Sequence, residues 1–176
     1  HTEQRQRREY SRVDAYLPFD YRIVAEEEKN HIQARISGNA STSDLKPVPN
    51  SGDHEFILGE WFNILNAKLD TVIRLMTLQR EGYFGLPLKT VNISGGGMSF
   101  SLPEAIPLGT TLEIKIMLTL NQPVALFLFG EVTKSEKKGE QYLTAVRYLP
   151  MDPCIRDEII RFVFEREREI IREKRR

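Results

Sequence analysis

One cysteine, three histidines and a formal net charge of zero leave this 176-residue chain few routes to chemistry. Cys154 has no partner for an intramolecular disulfide, and a single thiol fits a reducing cytosol. None of His1, His31 and His54 shares ligand spacing with a carboxylate or a cysteine, so no metal site and no cofactor are expected. No Ser–His–Asp arrangement suggests itself, and the one glycine run lacks the lysine of a phosphate-binding loop. The chain therefore reads as non-enzymatic. Its 25 basic residues balance 25 acidic ones, which removes the bulk field a nucleic-acid polymer would need. Aromatic pairs interleaved with basic residues on one strand, the mark of a single-stranded RNA binder, are also missing. No apolar run reaches the roughly 18 residues of a membrane helix, and no signal peptide opens the sequence. A cytoplasmic protein without a membrane partner is expected.

Hydrophobic alternation is abundant. Val13, Ala15, Leu17, Phe19, Tyr21 and Ile23 recur at period two, with Pro18 marking an edge or a bulge. Ile32, Ala34 and Ile36 alternate again after a turn-like EEEKN. Further strands are expected at Leu88 to Ser94, Met98 to Ser101, Thr110 to Leu120, Val124 to Thr133 and Gln141 to Leu149, with KSEKKG as the turn between the last two. Short strands at even spacing with few helices between them suggest a small antiparallel barrel. After Pro153 a helical stripe of Ile155, Ile159, Phe162, Val163 and Ile170 closes the chain, with three-apart pairs Glu158–Arg161, Glu165–Arg168 and Glu169–Arg172.

Between the second and third strands the character changes. Residues 38–53, GNASTSDLKPVPNSGD, read as a polar linker. Leu58, Phe62, Leu65, Leu69, Val72 and Met76 then recur at alternating steps of four and three, a heptad seam widened by Ile57, Trp61, Ile64, Leu75 and Leu78. A helix so apolar either crosses its own core or packs on copies of itself. The polar linker frees it from its own barrel, and the regular seam favours self-association into a dimer or a tetramer.

Two short features are able to carry ligand chemistry. Arg7, Arg8 and Arg12 lie within RREYSR, and Asn92, Ser94, Gly95, Gly96 and Gly97 form NISGGG. An arginine fork suits a phosphate or a guanine edge, and its flat face stacks on a base. Glycines let a backbone approach closely and leave main-chain N–H groups free to donate.

Together, Arg8-x-x-x-Arg12 extended by Arg7, the strand VDAYLPFDYRI and later Asn92-x-Ser94-x-x-Gly97 resemble the PilZ domain, over residues 7–37 and about 86–176. The resemblance implies a mainly β fold: a six-stranded antiparallel PilZ-like β-barrel with an inserted long helix and a C-terminal helix. It divides the chain into an arginine-rich arm (1–12), the barrel (13–37 and 86–150), the insertion (38–85) and the terminal helix (151–176). It also implies a receptor for cyclic di-GMP, a compact dianion with two guanines. Arg7 and Arg8 would contact guanine and phosphate, Arg12 would clamp from the strand entrance, and Asn92 and Ser94 would hold the other side. Gly95 and Gly96 would make the turn while Gly97 leaves a ligand-facing surface bare. Ligand would order the arm into a surface that an unknown downstream protein reads. The motifs stand about eighty residues apart because the helix is inserted, as in the atypical, tetramer-forming PilZ branch. The alternative is a non-catalytic oligomeric scaffold with a vestigial nucleotide site.

Overall fold

The computed structural model describes residues 9–38, 53–119 and 122–176. The alternating segments become strands: β1 (Arg12–Ile23), β2 (Arg35–Ile36), β3 (Leu88–Ser94), β4 (Gly97–Leu102), β5 (Thr111–Leu118), β6 (Val124–Lys138) and β7 (Gln141–Tyr148). The helical segments become α1 (Asp53–Arg80) and α2 (Pro153–Lys174). Glu26–His31, within the turn-like acidic stretch, forms a short 3-10 helix.

The sheet runs β2-β6-β5-β1-β3-β4-β7, and β7 also pairs with β6. Six antiparallel strands thus close into a barrel, and β2 is a two-residue addition on β6. Two strands each serve two partners along their length. β1 pairs with β3 from Arg12 to Pro18 and with β5 from Phe19 to Ile23. Pro18, which has no N–H to donate, sits where one partner gives way to the other. The next amide, Phe19 N, donates to Pro87 O at 2.9 Å. β6 likewise pairs with β5 over its first half and with β7 over its second. Such sharing is how a short sheet returns to its own first edge.

The inward residues of these strands form one core, with Phe19, Ile93, Leu112, Ile114, Ile116, Leu126 and Leu128 at 0% exposure. Ile155, Ile159, Phe162 and Val163 of α2 turn into the same core. Burying side chains of this kind stabilises by about 1.5–3 kcal/mol each. The entry of α2 is fixed locally: Asp152 accepts from Cys154 N at 2.8 Å and Pro153 opens the first turn.

Three sequence expectations are corrected. Ile23 was to face inward but is 55% exposed, because the alternation ends with β1 and Val24 is buried instead. Val24 joins Phe127 and Phe129 in a small cluster on the outer face, with the Arg35 guanidinium 4.1 Å from the Phe127 ring centroid. KSEKKG is not a turn: β6 continues through Lys138, and the chain reverses at Gly139, φ +64°, and Glu140. The alternating lysines and glutamate there are a solvated strand extension rather than a break. On α2, Glu158–Arg161 forms at 3.2 Å, whereas Glu169 pairs back to Arg166 at 2.8 Å instead of forward to Arg172.

Contacts group residues 1–36 with 86–176 and set 37–85 apart as a second compact unit. Within the latter, α1 is followed by Gly82 in the left-handed conformation, φ +83°. Ser37 Oγ and Tyr83 Oη share a buried hydrogen bond of 2.8 Å. The seam residues Leu58, Phe62, Leu65, Leu69, Val72 and Met76 are 51–65% exposed, and Trp61 is 67% exposed. Leu78, expected to widen the seam, is buried.

β4 and β7 are paired closely at Gly97, which faces Arg147 in the ladder. A Cβ there would run into Val146 O and the Arg147 backbone, atoms of a paired strand that cannot give way. At Gly96 it would meet only the Tyr10 ring, at 3.2 Å. Gly97→Ala is therefore expected to destabilise the barrel by about 1–3 kcal/mol or more in urea unfolding. Gly96→Ala should cost less than about 1 kcal/mol in the same measurement.

Candidate functional site

The outer face of the β1–β3 ladder carries the motif residues. Register pairs Arg12 with Ser94 and Asp14 with Asn92, so two elements about eighty residues apart in sequence meet side by side. Asn92 Nδ2 donates to Asp14 Oδ1 at 2.8 Å. Arg7 and Arg8 lie outside the described residues.

Ser94 builds the turn that follows. Its Oγ accepts from Gly96 N at 3.3 Å and Gly97 N at 3.2 Å, and donates to Gly97 O at 3.0 Å. A serine hydroxyl that satisfies backbone groups two and three residues on holds a tight reversal in place. The carbonyls of the turn are also engaged: Arg156 Nη1 donates to Gly95 O at 2.5 Å, and Tyr148 N to Gly96 O at 3.1 Å. Gly95 and Gly96 make the turn as expected, but each of the three glycines also has a packing reason. Gly97 is bare because β7 approaches it, and Gly95 and Gly96 lie against the Tyr10 ring.

Beside the turn is a groove of about 310 Å³ lined by Tyr10, Arg12, Ser94, Gly96, Gly97, Thr133 and Arg147, among others. Thr133 enters it because β6 bulges there: Val132 faces Val146 and Lys134 faces Ala145, leaving Thr133 as the extra residue. Arg147 projects from β7 opposite Gly97 and pairs with Glu131 at 3.8 Å. Arg12 makes no ion pair among the described residues. Two guanidiniums and the turn thus converge on one concave surface, with Glu9 as the acidic residue on its rim. Asn92 opens onto an adjoining groove of about 460 Å³ with Asp14, Tyr16 and Ser99. A third groove, about 320 Å³ between α2 and the β5–β6 connection, is lined by Glu158 and Glu165, and its Arg161 already pairs with Glu158. Its charge suits an anion poorly.

Beneath the turn, Tyr148 is buried and its hydroxyl has no hydrogen-bond partner among the described residues. Burial pushes this phenol far above its ordinary range, and the charges of Arg156 and Arg12 only partly offset that. The Cys154 thiol is raised by its hydrogen bond to Asp152, by that carboxylate's charge and by smaller effects, the reverse of what an activated nucleophile needs. No group of metal-ligating side chains occurs among the described residues, and no helix there is long and apolar enough to cross a membrane.

Of the residues expected at the site, Arg12, Ser94, Gly96 and Gly97 line this groove and Asn92 lines the adjoining one, while Tyr10, Thr133 and Arg147 at the groove and Arg156 at the turn were not foreseen. Arg147 was legible in principle as an outward position on β7. Thr133 depends on a bulge, and Arg156 on how α2 docks, neither of which leaves a periodic signal.

No curated protein matches the chain closely enough to count as a relative. Among solved structures, the chain is similar to a pathogenic protein from Xanthomonas campestris, described as a new tetrameric PilZ domain self-assembled via an unusual helical bundle. Identity is 22%, the TM-score is 0.59, and the match covers 93% of this chain and 92% of the other, a likeness of fold. The PilZ domain model matches residues 67–165, from the middle of α1 through every strand after it and into α2. With more than half its length matched on a closed six-stranded barrel, the chain belongs to the PilZ domain family.

Proposed function

We propose that the chain is a receptor for cyclic di-GMP, without catalytic activity of its own, that binds its ligand in the groove beside the glycine turn. PilZ domains are a cyclic di-GMP receptor family. The observation that carries the reading to this chain is the register pairing of Arg12 with Ser94 at the mouth of a groove that also holds Arg147. A doubly negative ligand gains most from charge-assisted hydrogen bonds, each about 1.5–3 kcal/mol. In this reading Arg7, Arg8 and Arg12 grip phosphate and guanine, Ser94, Gly96 and Gly97 form the floor of the groove beside them, and Asn92 reaches the ligand from the adjoining groove. Residues 1–12 are the responsive arm and 13–37 with 86–150 the barrel. Ordering the arm costs on the order of 1–2 kcal/mol per residue, which the arginine contacts offset. The ordered arm then offers a downstream protein a new surface.

A second part of the reading is self-association through α1. An apolar seam more than half exposed over six positions is costly in water unless another helix covers it. The Xanthomonas campestris protein, assembled through a helical bundle, supplies a parallel. The competing reading, an oligomeric scaffold with a vestigial site, draws on the internal engagement of Ser94 Oγ and Asn92 Nδ2. Thermal melting separates the two: cyclic di-GMP should raise the midpoint by several degrees for a receptor and leave it unchanged for a scaffold.

Calorimetric titration with cyclic di-GMP tests the site. Arg8→Ala and Arg12→Ala should each weaken binding roughly 10- to 150-fold, the equivalent of one charge-assisted contact. Affinity equal to wild type in both variants would refute the assignment. For assembly, light scattering should give a dimer or tetramer for the wild-type chain and a monomer for the Leu65→Glu, Leu69→Glu double variant. A monomeric wild type would end that part of the proposal.

A further inference from the structure

The glycine turn is gripped from two sides. On one side lies Tyr10, the aromatic of the arginine-rich arm. A Cβ added at Gly95 would meet Tyr10 Cδ1 at 2.8 Å and Ile160 Cγ1 at 2.9 Å, and one at Gly96 would meet Tyr10 Cδ2 at 3.2 Å. On the other side is Arg156, in the first turn of α2. The guanidinium that donates to Gly95 O also places its Cζ 5.7 Å from the centroid of the Tyr10 ring. Ring, turn and guanidinium form one continuous contact, with the cation over an aromatic face. Tyr10 is half-buried there, and it walls the groove without filling it.

We infer that Tyr10, held by Arg156, is a latch that seats the arginine arm at the rim of the groove before ligand arrives. This deepens the receptor reading and rests on it. The physical gain is preorganisation. Each chain residue spans at most about 3.6 Å, so fixing Tyr10 limits the volume that the arginines just before it can search. Less ordering then remains to be done when the ligand binds. The latch also gives Gly95 a reason, since a side chain there would displace the ring. Tyr10 and Arg156 are positioning residues in this account. The aromatic ring does the work and the phenolic hydroxyl does not.

The test combines calorimetry, using cyclic di-GMP as the probe, with amide hydrogen exchange of the ligand-free full chain. Tyr10→Phe keeps the ring and should match wild type in both. Tyr10→Ala and Arg156→Gln should speed exchange at the Gly96, Gly97 and Tyr148 amides about tenfold without ligand. Both should also raise the dissociation constant about tenfold. The Arg156 variant keeps the question open to refutation if removal of the ring impairs folding. Unchanged exchange in both variants would mean there is no latch. Faster exchange with unchanged or tighter binding would mean that the latch does not position the site. A wild-type chain that takes up no cyclic di-GMP would sink the receptor reading instead, with the exchange data still deciding whether the latch exists.

Discussion

Register between β1 and β3 is the constraint on which the rest depends. Side chains alternate faces along a strand, so a slip of one residue would send Arg12 into the barrel and bring Val13 out to solvent. Four inward residues of β1, Val13, Ala15, Leu17 and Phe19, prevent that slip by burying themselves against β3, β4 and β5. The energy that fixes the position of a charged surface group is therefore supplied by apolar contacts on the opposite face. The same core holds α2 against the barrel through Ile155, Ile159, Phe162 and Val163. Core and site are two faces of one ladder.

Much of this was legible in the residues. The alternation from Val13 to Phe19 and from Leu112 to Leu118 gave the strands and their inward faces directly, because a half-buried sheet imposes period two. The resemblance to the PilZ domain grouped Arg12 with Asn92 and Ser94, and the β1–β3 register sets Arg12 beside Ser94 and Asp14 beside Asn92. The failures share a cause. Ile23 and KSEKK were misread because local composition competes with tertiary pairing, and pairing prevailed: β1 simply ended, and β7 supplied a partner for a charged stretch that looks like a turn. The packing reason for Gly97, the approach of β7, is non-local and invisible in a window of ten residues.

The turn at Gly95 to Gly97 shows how few atoms carry several duties. Ser94 holds its backbone from within, Arg156 and Tyr148 from α2 and β7, and Tyr10 covers its outer side. A segment with so many partners is stiff, which suits a wall meant to keep its shape. The Tyr148 hydroxyl below it is a different matter: it has no hydrogen-bond partner among the described residues, and a buried unpaired phenol costs about 1–3 kcal/mol.

Closure of the sheet has one more consequence. Open β-proteins expose a row of unpaired amides and carbonyls along which a second chain can lengthen the ladder and seed fibres. Here, among the described residues, the outermost strand is β2, only two residues long. So short an edge offers copies of this domain little backbone to pair with, which shifts the weight of any contact between them onto side chains, with the composition of those side chains setting its strength.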